Sequence, residues 1–150
     1  MYKRFCQIVL MSCIPFITAS FAAAHCEVPC GIYDDEMRIN MIGEHITTIE
    51  KAMSQVTALQ GKAPVDYNQV VRWIMTKETH ANKLQKIVTQ YFMTQRIPPG
   101  DQNYMKKMSL LHKMLVAAMK CKQTTDLAHT KDLSSLLKEF HHVYFGGANE

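Results

Sequence analysis

Residues 39–56 read Ile39-Asn40-Met41-Ile42-Gly43-Glu44-His45-Ile46-Thr47-Thr48-Ile49-Glu50-Lys51-Ala52-Met53-Ser54-Gln55-Val56. Apolar side chains fall at Ile39, Ile42, Ile46, Ile49, Met53 and Val56, at alternating spacings of three and four. That period puts all six on one stripe of an α-helix, whereas a strand would alternate every second residue. Asp34 and Asp35 supply N-cap oxygens and negative charge for the helix start. Gly61-Lys62-Ala63-Pro64 ends it, and Gly43 is a weak point inside it. A helix with one apolar stripe needs partners to cover that stripe.

The rest of the chain provides them. Asp66 caps a second helix whose stripe runs Val70, Ile74, Ala81, Leu84, Val88 and Tyr91, with Trp73, Ile87 and Phe92 beside it. Ile97-Pro98-Pro99-Gly100-Asp101 is a break followed by a new cap. A third helix carries Tyr104, Met108, Leu111, Leu115, Ala118 and Met119, and a fourth Leu133, Leu136, Leu137, Phe140 and Tyr144 before Gly146-Gly147. No β-alternation competes. Four amphipathic helices with short links predict an all-α, antiparallel four-helix bundle over residues 34–150.

Composition narrows the function classes. The formal charge of +4 over 150 residues includes Lys3 and Arg4; without residues 1–24, 15 basic residues face 13 acidic ones, or +2. Such a balance, without a basic run, argues against nucleic acid as a partner. The 11 methionines read as flexible filling between helices. No phosphate loop, nucleophile elbow or paired-carboxylate signature falls on the helices. Lys51, Lys106, Lys107 and Lys113 are candidates for attracting a small anion, and solvated lysines otherwise.

Working outward to the N-terminus, Met1-Tyr2-Lys3-Arg4 precedes an apolar run from Phe5 to Phe21, then Ala22-Ala23-Ala24. A basic start, an apolar middle and small residues before a cut predict a secretory signal peptide over residues 1–24, removed by signal peptidase. The product would be periplasmic or secreted, with no stable membrane association after cleavage. A retained anchor is disfavoured by Gln7, Ser12 and Pro15 in a run at the short edge of a span. Lipidation at Cys13 is a further alternative.

Cleavage after Ala24 would expose the amine of His25 at the head of His25-Cys26-Glu27-Val28-Pro29-Cys30-Gly31-Ile32-Tyr33. The amine, the Cys26 amide nitrogen and the Cys26 thiolate follow one another along the chain and can close fused five-membered chelate rings. Cys30 can return a second thiolate if Pro29 and Gly31 turn the backbone. A planar set of two nitrogens and two thiolates suits Ni(II) or Cu(II), whereas Zn(II) prefers a tetrahedron. The His25 imidazole can reach an axial position. By spacing alone, a Cys26–Cys30 disulfide stands beside metal binding as an open alternative.

With a bundle behind it, this processed N-terminal stretch resembles the nickel-binding hook of nickel-containing superoxide dismutase, at His25, Cys26, Pro29, Cys30, Gly31 and Tyr33. The resemblance implies one nickel ion per subunit in a hook over residues 25–33, cycling between Ni(II) and Ni(III) and converting superoxide to dioxygen and hydrogen peroxide. It implies the His25 amine, the Cys26 amide and the Cys26 and Cys30 thiolates as ligands, with the His25 imidazole axial when oxidised. It also implies Tyr33 over the open face and a homohexamer of bundles. The family's orienting carboxylate is replaced by Asn40, near Glu44; Arg72 and His80 are the candidates for its orienting arginine. The reading from a different class is a non-enzymatic exported bundle that carries or senses metal; a bundle stapled by Cys26–Cys30 is a third.

Overall fold

The computed structural model describes residues 34–146. The expected signal peptide and the stretch 25–33, with His25, Cys26, Cys30 and Tyr33, lie outside the described residues. Four helical rods follow. Helix α1 is Asp35–Gln60, started by Asp34, whose Oδ1 accepts from the Glu36 amide at 2.9 Å. Helix α2 is Tyr67–Lys86, started by Asp66 accepting from the Gln69 amide at 3.1 Å. It continues without a break into a π-helical segment, Ile87–Arg96. Helices α3, Tyr104–Gln123, and α4, Ala128–Tyr144, complete the bundle. No strand occurs among the described residues.

Contacts between rod ends set the directions. Asp35, at the start of α1, meets Arg96 at the end of the π segment and Tyr144 at the end of α4. Lys77, midway along α2, meets the last turn of α3. Lys106, at the start of α3, pairs with Glu139 late in α4 at 3.2 Å. Each rod therefore runs against its neighbours, the arrangement short links favour. The α1 stripe is buried along its whole length, against Leu84, Val88, Leu111, Met114, Leu133 and Phe140. Phe92 packs edge-on to both Phe140 and Tyr144, at centroid distances of 5.1 and 5.3 Å.

The expected stripes hold except at single positions: on α2 and its π segment, Val70, Ala81, Leu84, Val88 and Tyr91 are buried, and on α3, Leu111 and Ala118 are. Ile74 and Met119 face solvent, at 37% and 42% exposure. On α3 the inward row is Lys107, Leu110, Leu111, Met114, Ala117, Ala118 and Cys121. A lysine holds a seam position because its charge is neutralised there: Nζ lies 2.5 Å from Asp101 Oδ1 and 5.2 Å from the centre of the Tyr144 ring. Lys107 is therefore no solvated anion guide. Lys77 is buried too. Its Nζ donates to the carbonyls of Lys122 at 2.5 Å and Thr124 at 3.3 Å, placing a cation on the negative C-terminal end of α3. Cys121 is a fully buried free thiol, pushed up to about 11 by burial, which keeps it protonated and inert.

Gly43 sits in mid-α1 with room to spare, since an added Cβ would meet Leu137 Cδ2 at 3.8 Å, ordinary van der Waals contact. Gly43→Ala is expected to stabilise the bundle by about 0.5–1 kcal/mol through the lower entropy of the unfolded chain. A thermal melt checks this, and a lowered Tm would contradict it. Among the described residues, no helix is long and apolar enough to cross a membrane.

Candidate functional site

The chain enters the bundle at Asp34, one residue after Tyr33, so the end that receives it is where α1 begins. There a single carboxylate gathers three donors from two other rods. Asp35 Oδ1 accepts from the Tyr91 hydroxyl at 2.5 Å; Oδ2 accepts from Arg96 Nη2 at 2.7 Å and from the Tyr144 hydroxyl at 2.8 Å. Two guanidinium groups stand near the Tyr91 ring, Arg38 at 5.2 Å and Arg96 at 5.9 Å from its centre. Beside them, Glu36 Oε2 pairs with His141 Nε2 at 2.9 Å. The first turn of α1 is thus pinned to the π segment and to α4 at once.

The π segment makes this convergence possible. In an α-helix, residues five apart point roughly 140° away from each other, at about 100° per residue. With hydrogen bonds from residue i to i+5 they come nearly onto one face. The widened register is visible in the Ile97 amide donating to the Phe92 carbonyl at 3.1 Å. Thr94 Oγ1 and Gln95 Nε2 likewise donate to the carbonyls of Thr89 and Gln90, both at 2.8 Å. Tyr91 and Arg96, five apart, can both reach Asp35 because of it.

The charges follow from these contacts. Burial alone would raise the Asp35 carboxyl; hydrogen bonds from Arg96, Tyr91 and Tyr144, with the Arg96 charge, outweigh it and hold the group below its ordinary value. Burial and the neighbouring Asp35 carboxylate push both tyrosines up to about 12, so they remain donors. Arg96 is raised further above its already high value, chiefly by its hydrogen bond to Asp35.

In the sequence Asp35 reads as a helix-cap residue, and Arg96 carries no pattern of its own. Their joint role depends on a register change that no hydrophobic period announces; the only hint was an arginine directly before Ile97-Pro98-Pro99. Of the residues considered for the orienting pair, Asn40, Glu44 and Arg72 are exposed on their helices. His80 is engaged with His45 across α1 and α2, Nδ1 to Nδ1 at 3.1 Å.

Both of these imidazoles are lowered from their ordinary value: His45 by burial, His80 and Lys83, against the raising pull of Glu44; His80 by burial and Lys83. A histidine held low in the folded state contributes its full stability above the unfolded value near 6.5, and loses it as pH falls below that. Chemical denaturation midpoints are therefore expected to drop between about pH 7 and 5.5. The His45→Gln/His80→Gln double variant should flatten that limb; an unchanged slope would remove the pair as its source.

Among the described residues, no group of three or more His, Cys, Asp or Glu could hold a metal ion. The donors in 25–33 are of the kind nickel takes: two thiolates, an imidazole and backbone nitrogen in one short stretch. The chain matches the family model of nickel-containing superoxide dismutase over residues 20–147, which takes in both that stretch and the four helices. No curated protein and no solved structure matches it. Helical throughout its four rods and matched over most of its length, this chain belongs to the nickel-containing superoxide dismutase family, oxidoreductases that act on superoxide with nickel as cofactor.

Proposed function

We propose that this chain is made with a leader, cut by signal peptidase after Ala24, and works outside the cytoplasm as a dismutase whose one nickel is held by the new N-terminus. The ligands in this reading are the His25 amine, the Cys26 amide nitrogen and the thiolates of Cys26 and Cys30, with the His25 imidazole added in the oxidised state. Its main support is the family match, which spans His25 to Tyr33 rather than the helices alone. Nickel held by these residues would supply the electron exchange, between Ni(II) and Ni(III), by which two superoxide anions and two protons become dioxygen and hydrogen peroxide.

The residues around it have separable tasks. Thiolates and a deprotonated amide are strong donors, and their negative charge favours the higher oxidation state. In this reading Pro29 and Gly31 would let the chain turn so that Cys30 can return toward Cys26. Tyr33, in the same reading, would restrict access for superoxide and order water. The Asp35 cluster fixes the first turn of α1, two residues beyond Tyr33, against two other rods. A homohexamer would further shield the thiolates from the peroxide the enzyme makes. Apolar side chains left open along the first half of α2 favour association of copies: Tyr67 is 74%, Val71 56% and Met75 59% exposed.

Intact mass and metal content of the mature protein test the reading together. A chain beginning at His25, with one nickel and both Cys26 and Cys30 reduced, is the expected result. Any other start, or a mass two hydrogens lower from a Cys26–Cys30 disulfide, would overturn it. A metal carrier would bind nickel without turning over superoxide.

A further inference from the structure

We propose that His45 and His80 form a second metal site on the bundle: a two-imidazole clamp for an exchangeable divalent ion of the Ni(II), Cu(II) or Zn(II) kind. The two Nδ1 atoms are 3.1 Å apart, and the rings meet nearly at right angles, at 82° with centroids 5.0 Å apart. An ion about 2.0–2.1 Å from each nitrogen, the usual metal–imidazole distance, would see them roughly 95–100° apart. That angle lies between the cis angle of a square or octahedral ion and that of a tetrahedron, and to face a shared ion each ring turns its Nδ1 by up to roughly 40° off the line joining the two nitrogens. Imidazole nitrogen suits all three ions.

The clamp is built rather than incidental. One ligand comes from α1 and one from α2, so helix packing sets their spacing before any ion arrives. Both residues are half-buried, so neither is sealed from water that could complete the coordination. In the protein without an ion, one ring donates its Nδ1 proton to the other. On binding, that ring carries its proton at Nε2 instead, so the exchange needs no net proton release. The nearby charges work in opposite senses: the Glu44 carboxylate attracts a cation toward His45, and the Lys83 ammonium repels it from both rings. Two protein ligands and a nearby lysine mean a weak, reversible site, unlike a centre closed by two thiolates. His45 lies ten residues beyond Asp35 on α1, about 15 Å along the axis, so the clamp is separate from the end where the chain enters.

The test uses the mature, nickel-loaded protein titrated with Zn(II) or Ni(II). One further equivalent per chain is expected, bound in the micromolar range, while the first nickel stays in place. His45→Gln and His80→Gln should each weaken that second equivalent at least tenfold. Trp73, the single tryptophan in the chain, precedes His80 by two turns on α2, about 10 Å, and reports occupancy by quenching when the ion is Ni(II). In the unsubstituted protein, Zn(II) must shift the ring-nitrogen resonances of two histidines, His45 and His80. The inference is overturned if no second equivalent binds, if both variants bind it with undiminished affinity, or if the resonances that move belong to other histidines such as His141 and His142. None of these outcomes depends on how the first nickel is held.

Discussion

Mature protein carrying one extra residue before His25 is expected to lose dismutase activity on the order of 100-fold or more, since changes in groups that merely support metal ligands already cost 10–100-fold. The extension turns the His25 amine into an amide. A primary amine offers its lone pair directly; an amide nitrogen must first shed a proton, and once it does it adds a further negative charge. The extended chain can still present Cys26 and Cys30, so nickel content should fall less than activity does. That difference is the informative part: a ligand set that holds nickel at the wrong potential has metal without turnover. Superoxide decay measured beside nickel content checks it. Activity that survives the extension would show that the amine is no ligand, and the proposed role of cleavage after Ala24 would go with it.

Replacing Asp35 by alanine is expected to destabilise the bundle by about 2–3 kcal/mol, the scale for hydrogen bonds to a charged group whose partners are left behind. The Tyr91 and Tyr144 hydroxyls and the Arg96 guanidinium would all lose the same acceptor. The melting temperature should fall by roughly 10 °C for a domain of this size. Asn at the same position keeps an acceptor but not the charge, and should recover part of the loss. The pH dependence carries the sign of a lowered carboxyl. Asp35 contributes fully above the unfolded value of 3.8, and its contribution is lost as pH falls through its lower folded value. Acid unfolding of the wild type should therefore be steeper below about pH 4 than that of Asp35→Ala. Equal slopes would mean that the cluster is solvated in solution. Since Asp35 stands two residues from Tyr33, the alanine variant should also lower activity per bound nickel.

Much of the bundle was legible because the information is periodic. The three-four spacing from Ile39 to Val56 sufficed to identify α1, and all six of those residues are buried. The second and third rods were harder. Their expected stripes assumed α-helical geometry throughout and apolar residues at every inward position. Ile87–Arg96 departs from the first assumption, and Lys107 and Lys77 from the second. Both lysines are inside because a carboxylate or a helix end meets them across a gap of six to 47 residues, a pairing that no local pattern encodes.

The two halves of the function divide in the same way. The metal chemistry proposed for His25, Cys26 and Cys30 rests on the sequence: those donors are neighbours along the backbone and need only a turn to meet, and the family resemblance favours nickel over the Cys26–Cys30 disulfide that spacing leaves open. The sequence also determined the family, through residues contiguous in the chain. Tertiary structure decided what stands around the point where that stretch joins the bundle. Asp35, Tyr91, Arg96 and Tyr144 are up to 109 residues apart and come together only after the rods align and one of them widens its register. His45 and His80 likewise meet 35 residues apart, across two helices. Side chains on different rods have no relation until packing supplies one, and so the clamp and the Asp35 cluster could be seen only in the folded chain.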